Sequence, residues 1–185
     1  MRLVQGYNPV TLREVVDPER CRERLDEIDE LRSLPALLER VWLRKVLGEV
    51  PEALALSEES VRLARMGGTR KDLLRARVIH AGVLQEMGAH DRAAQELSAC
   101  IDEAEGKGWT NLAAFAFEHQ GRNSYDAGEF AAARESFKRS LFLRHEAGAD
   151  DSRIETALRA IDAAERRAAG VGADEAADDS VGSSV

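Results

Sequence analysis

The amino-acid sequence predicts an all-α fold, a right-handed α-solenoid of antiparallel helix pairs with about eight helices. Between regularly spaced glycines, apolar residues recur at helical spacing. Aromatic residues make up only 5% of the chain and there are 4 prolines, which favours long, closely packed helices over a β-sandwich. The glycines recur every 20 residues, at Gly48, Gly68, Gly88, Gly108, Gly128 and Gly148. We interpret them as turns between helices, so that one repeat is a helix pair of 40 residues.

The composition of the chain argues against some classes of binding partner and some cellular locations. The formal net charge of −8 is unfavourable for binding nucleic acid or an anionic membrane, which needs a basic surface. The chain contains neither a signal-peptide pattern nor the ~18 apolar residues in succession that span a bilayer. Cys21 and Cys100 have no metal-ligand or disulfide spacing, which indicates reduced thiols. We therefore expect a cytoplasmic protein without nucleic-acid or membrane partners; its arginine- and alanine-rich composition is typical of GC-rich bacteria.

The helical domain is predicted to cover residues 17–169. Its first flanking helix, 18–32, begins with Asp17 as a capping residue and Pro18 at the first helical position. Its last, 151–168, is capped by Asp150 or Asp151. Both helices would cover the apolar ends of the repeats.

The two ends of the chain give weaker signals. Residues 1–16 contain a turn pattern at Tyr7-Asn8-Pro9 but no clear helix or strand. Residues 170–185 are rich in small and acidic residues and lack apolar periodicity. Such a segment buries too little to offset its chain entropy, so a disordered acidic tail is predicted.

Three repeats are predicted at about 34–68, 69–108 and 109–148. When the three repeats are aligned at a spacing of 40 residues, four positions carry the same residue in all three. Each of these aligned positions, or columns, is either a glycine at a turn or an alanine that lets helices approach closely. The columns are Gly48/Gly88/Gly128, Gly68/Gly108/Gly148, Ala36/Ala76/Ala116 and Ala53/Ala93/Ala133. Four such matches at one spacing indicate a repeat rather than alanine-rich composition.

The third repeat resembles the tetratricopeptide repeat (TPR) family. The segment 128–137 has Gly-Glu at the turn, Ala133 five residues after the glycine and Phe137 four beyond it. Gly121 and Phe117 stand where the family has a small and an aromatic residue. The period of 40 exceeds the family's usual repeat, as in its extended members, and the closing proline is replaced by His145.

The resemblance implies that the first helix of each pair lines a concave groove, which binds a peptide or protein segment. Aromatic and charged side chains on rigid helices suit such binding. The implied groove residues are Trp42, Lys45, Arg75, Val78, Gln85, Glu118, Arg122 and Tyr125.

No catalytic, cofactor-binding or metal-binding residues are predicted. The four histidines lack zinc-site spacing, although His80 and His119 lie on neighbouring first helices, and no phosphate-binding loop occurs. The sequence favours an interaction module without catalysis. Two alternatives are a peptide-sensing regulatory protein and an enzyme on a helical repeat scaffold, and self-association through an end helix is a further expectation.

Overall fold

The computed structural model describes residues 3–170. Within this range the chain forms a two-stranded hairpin, β1 (Val4–Tyr7) and β2 (Glu14–Val16), followed by eight helices. The helices are α1 (Pro18–Ile28), α2 (Leu34–Val46), α3 (Val50–Gly67), α4 (Arg70–Glu86), α5 (His90–Gly106), α6 (Thr110–Asp126), α7 (Phe130–Glu146) and α8 (Asp151–Ala168). The all-α helical repeat fold is confirmed, and its right-handed superhelix stays a prediction. The acidic tail predicted at 170–185 lies, from residue 171 onward, outside the described residues.

Five ladder glycines end their helices in the same way. Gly48, Gly88, Gly108, Gly128 and Gly148 have φ between +65° and +80°, which side chains with a Cβ rarely adopt. At the turn after α6, the Gly128 N–H donates to the Tyr125 carbonyl at 3.0 Å and the Glu129 N–H to the Ser124 carbonyl at 2.8 Å. This is the Schellman pair of hydrogen bonds, and the other four turns repeat it. The regular spacing of glycine therefore sets the regular spacing of helices.

Gly68 is the one regularly spaced glycine that is not left-handed. Its φ is −87°, and its place is explained by close packing: a Cβ there would lie 2.9 Å from the Ala64 carbonyl oxygen. The next helix starts at once, because Thr69 and Asp72 form a capping box. This turn is consequently shorter than those that end in a left-handed glycine.

The flanking helices follow their capping residues. Asp17 accepts a hydrogen bond from the Arg20 N–H, and Asp150 accepts one from the Arg153 N–H, as helix N-caps do. The bounds predicted for the last helix are confirmed, whereas α1 ends at Ile28, four residues earlier than predicted.

The small residues that recur at equivalent positions of the repeats lie in the core. Ala53, Ala93 and Ala133 are fully buried, and a Cβ on Gly121 would lie 2.6 Å from two ring carbons of the buried Phe137. The small residues are thus required by contact between the helices of a pair. In the first repeat Ser57 replaces the aromatic residue, and its hydroxyl lies 2.9 Å from His80 Nδ1.

The first helices of the three pairs form one layer. α4 contacts both α2 and α6, in addition to the helices next to it in sequence. At the C-terminal end, α8 packs its apolar side on α7 and exposes ion pairs such as Arg159–Glu155. The layer of first helices is the surface that carries the candidate site.

Candidate partner-binding groove

The N-terminal hairpin lies across the layer of first helices. β1 and β2 pair antiparallel, and the intervening turn is held by the Asn8 side chain, whose Oδ1 accepts from the N–H groups of Val10 and Thr11 at 2.9 Å each. Residues 1–16, for which the sequence predicted no strand, therefore supply an element that touches the predicted groove.

One end of the hairpin meets α2. Trp42 Nε1 donates to Glu14 Oε2 at 2.7 Å, and Lys45 lines the adjoining cavity. Burial lowers the pKa of the Lys45 ammonium, and the nearby Glu14 carboxylate opposes that shift. Among residues 3–170, Lys45 has no ion-pair partner. Trp42 is therefore an interface residue, and Lys45 is a half-buried cation without a direct counter-ion.

Arg13, in the turn region, spans two first helices. Its guanidinium pairs with Glu86 at the end of α4 and with Asp126 Oδ2 of α6 at 3.1 Å. Gln85 Nε2 donates to the same Asp126 oxygen at 2.7 Å. The hairpin arginine thus enters a polar receptor that joins the C-terminal ends of α4 and α6.

The turn also presents backbone carbonyls and one apolar side chain to α6. Tyr125 donates its hydroxyl to the Val10 carbonyl at 2.6 Å, and Arg122 donates to the Leu12 carbonyl at 3.4 Å. The Leu12 side chain joins a buried cluster with Tyr125, Phe137 and Ile161. Leu12 has φ +56°, an uncommon conformation for a residue with a Cβ.

A buried acid stands between two arginines at the centre of the groove. Glu118 pairs with Arg122 of its own helix, at 3.1 Å, and with Arg144 of α7. Burial raises the pKa of Glu118, but the two guanidinium groups outweigh it, so the net shift is downward. The carboxylate is ionised at neutral pH and fixes the direction of Arg122.

His119 is buried and uncharged. Burial, with Lys45 nearby, lowers its pKa to about 3. Its Nδ1 has no hydrogen-bond partner among residues 3–170 and faces Gly82 of α4, where a Cβ would lie 3.1 Å away. We therefore place the ring proton on Nε2. The imidazole of His119 is uncharged at pH 7, beside the charged groups of Lys45, Glu118 and Arg122.

The hairpin covers only one half of the groove. We call the C-terminal parts of the first helices (40–46, 80–86 and 118–126) the covered half and their N-terminal parts (34–39, 71–79 and 109–115) the open half. An open cleft of about 820 Å³ lies along the open half. It is lined by Leu34, Pro35, Leu38, Glu39, Lys71, Asp72, Arg75, Ile79, Gly108, Trp109, Thr110, Asn111, Leu112 and Ala147.

Lys71 and Arg75 are the cations of the open half that lack ion-pair partners among the described residues. Lys71 Nζ lies 5.5 Å from the centre of the Trp109 ring, and the Arg75 guanidinium 5.9 Å from that of Phe115. The two acids of the cleft are engaged elsewhere. Glu39 pairs with Arg24 at 2.7 Å, and Asp72 is held in the capping box of α4. Hydrogen bonds from Thr69, helped by the charge of Arg75, lower the pKa of Asp72.

The lining contains two cations and two acids, and because Glu39 is paired with Arg24 from outside the cleft, one positive charge remains in excess beside apolar surface. The chain as a whole is acidic, so this local excess is not a consequence of composition.

Six of the eight predicted groove residues meet in the covered half: Trp42, Lys45, Gln85, Glu118, Arg122 and Tyr125. Arg75 lies in the open half. The prediction for Val78 is wrong, because its side chain is fully buried in the core and faces the second helices rather than the groove.

Sequence reasoning missed the residues that the hairpin brings, chiefly Arg13 and Glu14. Only the turn pattern at Tyr7-Asn8-Pro9 indicated structure there, and the turn is confirmed. It also missed Lys71 and Trp109, which stand at the first turns of α4 and α6, where helix periodicity says little about which groups face a cleft.

The histidines and cysteines lie in separate environments. His80 Nε2 is 3.8 Å from Glu96, on the side of α5, whereas His119 faces Gly82. Within the described range no group of three potential metal ligands is found. Cys21 and Cys100 are both buried and unpaired, and burial raises the pKa of Cys100 to about 11. Neither thiol is therefore activated as a nucleophile.

The architecture and the groove define a class, the all-α helical repeat proteins. The fold is similar to the crystal structure of BtubC (BKLC) from P. vanneervenii, with a TM-score of 0.61 over 88% of this chain and 69% of that chain. The sequences are 16% identical, so the similarity concerns the fold alone. No family model and no curated protein matches the chain in sequence. None of the described helices has the length and apolar character needed to cross a membrane.

Proposed function

We propose that the chain is a TPR-like interaction module that binds a segment of a partner protein in the open half of its groove, without catalysis. The observation that carries the proposal is the cleft of about 820 Å³ along the first turns of α2, α4 and α6. Rigid helices there present side chains along an open cleft. Such a surface can hold a segment with little loss of its own conformational freedom.

The charges of the cleft specify the kind of segment. Lys71 and Arg75 have no ion-pair partners within residues 3–170, and apolar side chains such as Leu34 and Ile79 lie beside them. A segment that alternates acidic and apolar residues would satisfy both. We therefore propose an acidic, partly apolar peptide segment as the ligand, with Arg75 and Lys71 as its charge partners.

The TPR assignment itself rests on three features. The Schellman turns recur at one spacing, the alanine columns are buried, and Gly121 packs against Phe137 as the family's small and aromatic positions would. We also propose a cytoplasmic location, which the two unpaired, buried thiols support.

A peptide-display selection against the full chain tests the proposal. We expect the enriched peptides to combine acids with apolar residues and to bind the purified protein. The double variant Lys71→Ala/Arg75→Ala should weaken binding at least about tenfold, since two charge-assisted contacts are lost. Arg62→Ala/Arg92→Ala, at exposed positions of α3 and α5 that do not line the cleft, makes the same change of net charge and should bind like wild type.

Enriched peptides that bind both double variants equally would contradict the proposed site. A selection that yields no binder, although the protein is folded by circular dichroism, would contradict the proposed function.

A further inference from the structure

The covered half of the groove already contains a ligand, which is the chain's own hairpin. We infer that a segment of a partner protein can displace this hairpin from the groove. The segment would have the same motif as the hairpin's Leu12-Arg13-Glu14 triplet, which is an apolar residue, an arginine and an acid in succession. The inference deepens the proposed function and rests on it. It concerns the covered half, whereas the proposed function concerns the open half.

Each residue of the triplet has its own receptor on the groove. Leu12 enters the apolar cluster beside Tyr125. Arg13 pairs with Glu86 and with Asp126, and Glu14 accepts from the Trp42 indole at 2.7 Å. The receptor for Leu12 lies on α6, that for Arg13 on α4 and α6, and that for Glu14 on α2. A segment that crosses the groove would therefore meet them in the order in which the hairpin does.

The groove also binds the backbone of the turn. Tyr125 and Arg122 donate to the carbonyls of Val10 and Leu12, at 2.6 and 3.4 Å. Backbone hydrogen bonds combined with separate side-chain receptors are the usual means by which proteins recognise a short segment. Both acceptors are backbone carbonyls, so another chain that presents the same triplet after a similar turn can make these contacts.

The hairpin packs against the groove less completely than the helices pack against each other. Cavities of about 260 and 270 Å³ remain beside it, and both are lined by Lys45, His119 and Arg122. The Arg13 side chain is 46% exposed. Leu12 holds a left-handed conformation that favours glycine. An element whose role is only to stabilise the core would fill these spaces with apolar side chains.

Release of the hairpin leaves the repeats intact. The hairpin is followed by Asp17 and α1, and its ends, Leu3 and Val16, pack on the apolar cluster of α1 and α2. Its two strands pair only with each other among residues 3–170. An isolated two-stranded hairpin is marginally stable in water, so a displaced hairpin loses its structure and does not return as a rigid body. The turns and columns that hold the helix pairs together lie elsewhere.

The probe for the test is a synthetic, fluorescein-labelled peptide with the sequence of residues 3–16, added to the full chain. In wild type the tethered hairpin competes at an effective concentration on the order of millimolar, so the peptide binds weakly. In Arg13→Glu the tethered hairpin is repelled by Glu86 and Asp126 while the peptide keeps its arginine. We expect the peptide to bind Arg13→Glu at least about tenfold more tightly than wild type.

Three further variants test the receptor. Adding Glu86→Gln and Asp126→Asn to Arg13→Glu should remove the gain in peptide affinity. Arg22→Glu, an exposed charge reversal on α1, should leave peptide binding as weak as in wild type. Lys71→Ala/Arg75→Ala in the Arg13→Glu background should retain the tight binding, so failure here and failure of the proposed open-half site can be told apart.

Hydrogen exchange on wild type provides a measurement that does not depend on any variant folding. At saturating peptide, the amides of Val4–Tyr7 and Glu14–Val16 should lose protection, while those of α4–α7 keep it. Unchanged hairpin protection at saturation would overturn the inference. So would equal peptide affinity in wild type and a folded Arg13→Glu, or a peptide-independent dimer of Arg13→Glu by light scattering, which would make a second copy the occupant.

Discussion

The interior of the repeats and the covered half of the groove are built on different rules. Inside the repeats the same residue type returns every 40 positions, and Ala53, Ala93 and Ala133 are all fully buried. In the covered half no position repeats: Trp42 of α2 corresponds to Gly82 of α4 and to Arg122 of α6. The interior is apolar and filled, whereas the groove contains charges and cavities of about 260 and 270 Å³.

This difference separates the residues that specify the fold from those that specify what the fold binds. A repeated core needs the same small and aliphatic residues in every unit, because every pair of helices meets in the same way. A binding surface needs different residues on each helix, because each meets a different part of the ligand. The departures from the repeat are therefore the informative positions for function.

The largest expected effect comes from emptying the interior. Phe137→Ala removes a ring that is 1% exposed, and the surrounding helices can close the space only in part. We expect the free energy of unfolding to fall by about 3–5 kcal/mol. Urea denaturation followed by circular dichroism measures it. A loss below about 1 kcal/mol would show that the interior is packed no more tightly than the groove.

Overfilling the interior should have the next largest effect. Gly121→Ala places a Cβ 2.6 Å from two carbons of the Phe137 ring. The alanine gains about 1 kcal/mol of helix propensity, yet overpacking costs more, and we expect a net loss of about 1–2 kcal/mol in unfolding free energy. Phe137→Leu in the same chain should cost less in the Gly121→Ala background than in wild type. Additive losses in the double variant would exclude the steric explanation.

The lowered pKa of His119 in the groove should make the free energy of unfolding depend on pH. Because the folded pKa of His119 is lowered to about 3, the unfolded chain takes up a proton below the ordinary histidine pKa that the folded chain does not. Stability is therefore full above about pH 6.5 and falls as the pH drops below that value, by roughly 1 kcal/mol per pH unit. Urea denaturation between pH 7 and about 5.5 avoids the range in which carboxylates such as Glu118 titrate.

His119→Asn should flatten that slope. His145→Asn, at an exposed position near the end of α7, is the matched control and should keep it. An unchanged slope in His119→Asn would mean that another group causes the pH dependence.

The smallest effect is expected where the hairpin meets the groove. Tyr125→Phe keeps the ring and removes one hydrogen bond, from the tyrosine hydroxyl to the Val10 carbonyl at 2.6 Å. We expect a loss of about 1 kcal/mol that appears as faster hydrogen exchange in β1 and β2, with little change in α4–α7. Equal acceleration throughout the helices would show that the hairpin and the repeats unfold as one unit.

Much of the fold could be predicted because it depends on local signals that recur. Asp17 and Asp150 cap their helices, and the glycines at residues 48, 88, 108, 128 and 148 end theirs, as predicted. Gly68 shows the limit of this reasoning. Its identity as glycine was visible in the sequence, but its extended backbone depends on contact with Ala64 and on the capping box that follows.

The candidate site was predicted less completely. Six of the predicted residues lie together beside the hairpin, but helix periodicity could not decide between the groove and the core for Val78, which is fully buried. A shift of one position changes the direction of a helical side chain by ~100°. The apolar pattern alone therefore does not decide whether a residue at the edge of the core faces the core or the groove.

The sequence by itself determined where the helices begin and the turns between them, because capping residues, left-handed glycines and small packing residues act over a few positions of the chain. Only the tertiary structure decided what lies in the groove. Arg13 and Asp126 are 113 positions apart, and their contact depends on how the whole solenoid curves. That curvature is the sum of all the helix packing angles, which no local pattern encodes, and it brings residues 3–16 onto the surface that the repeats create.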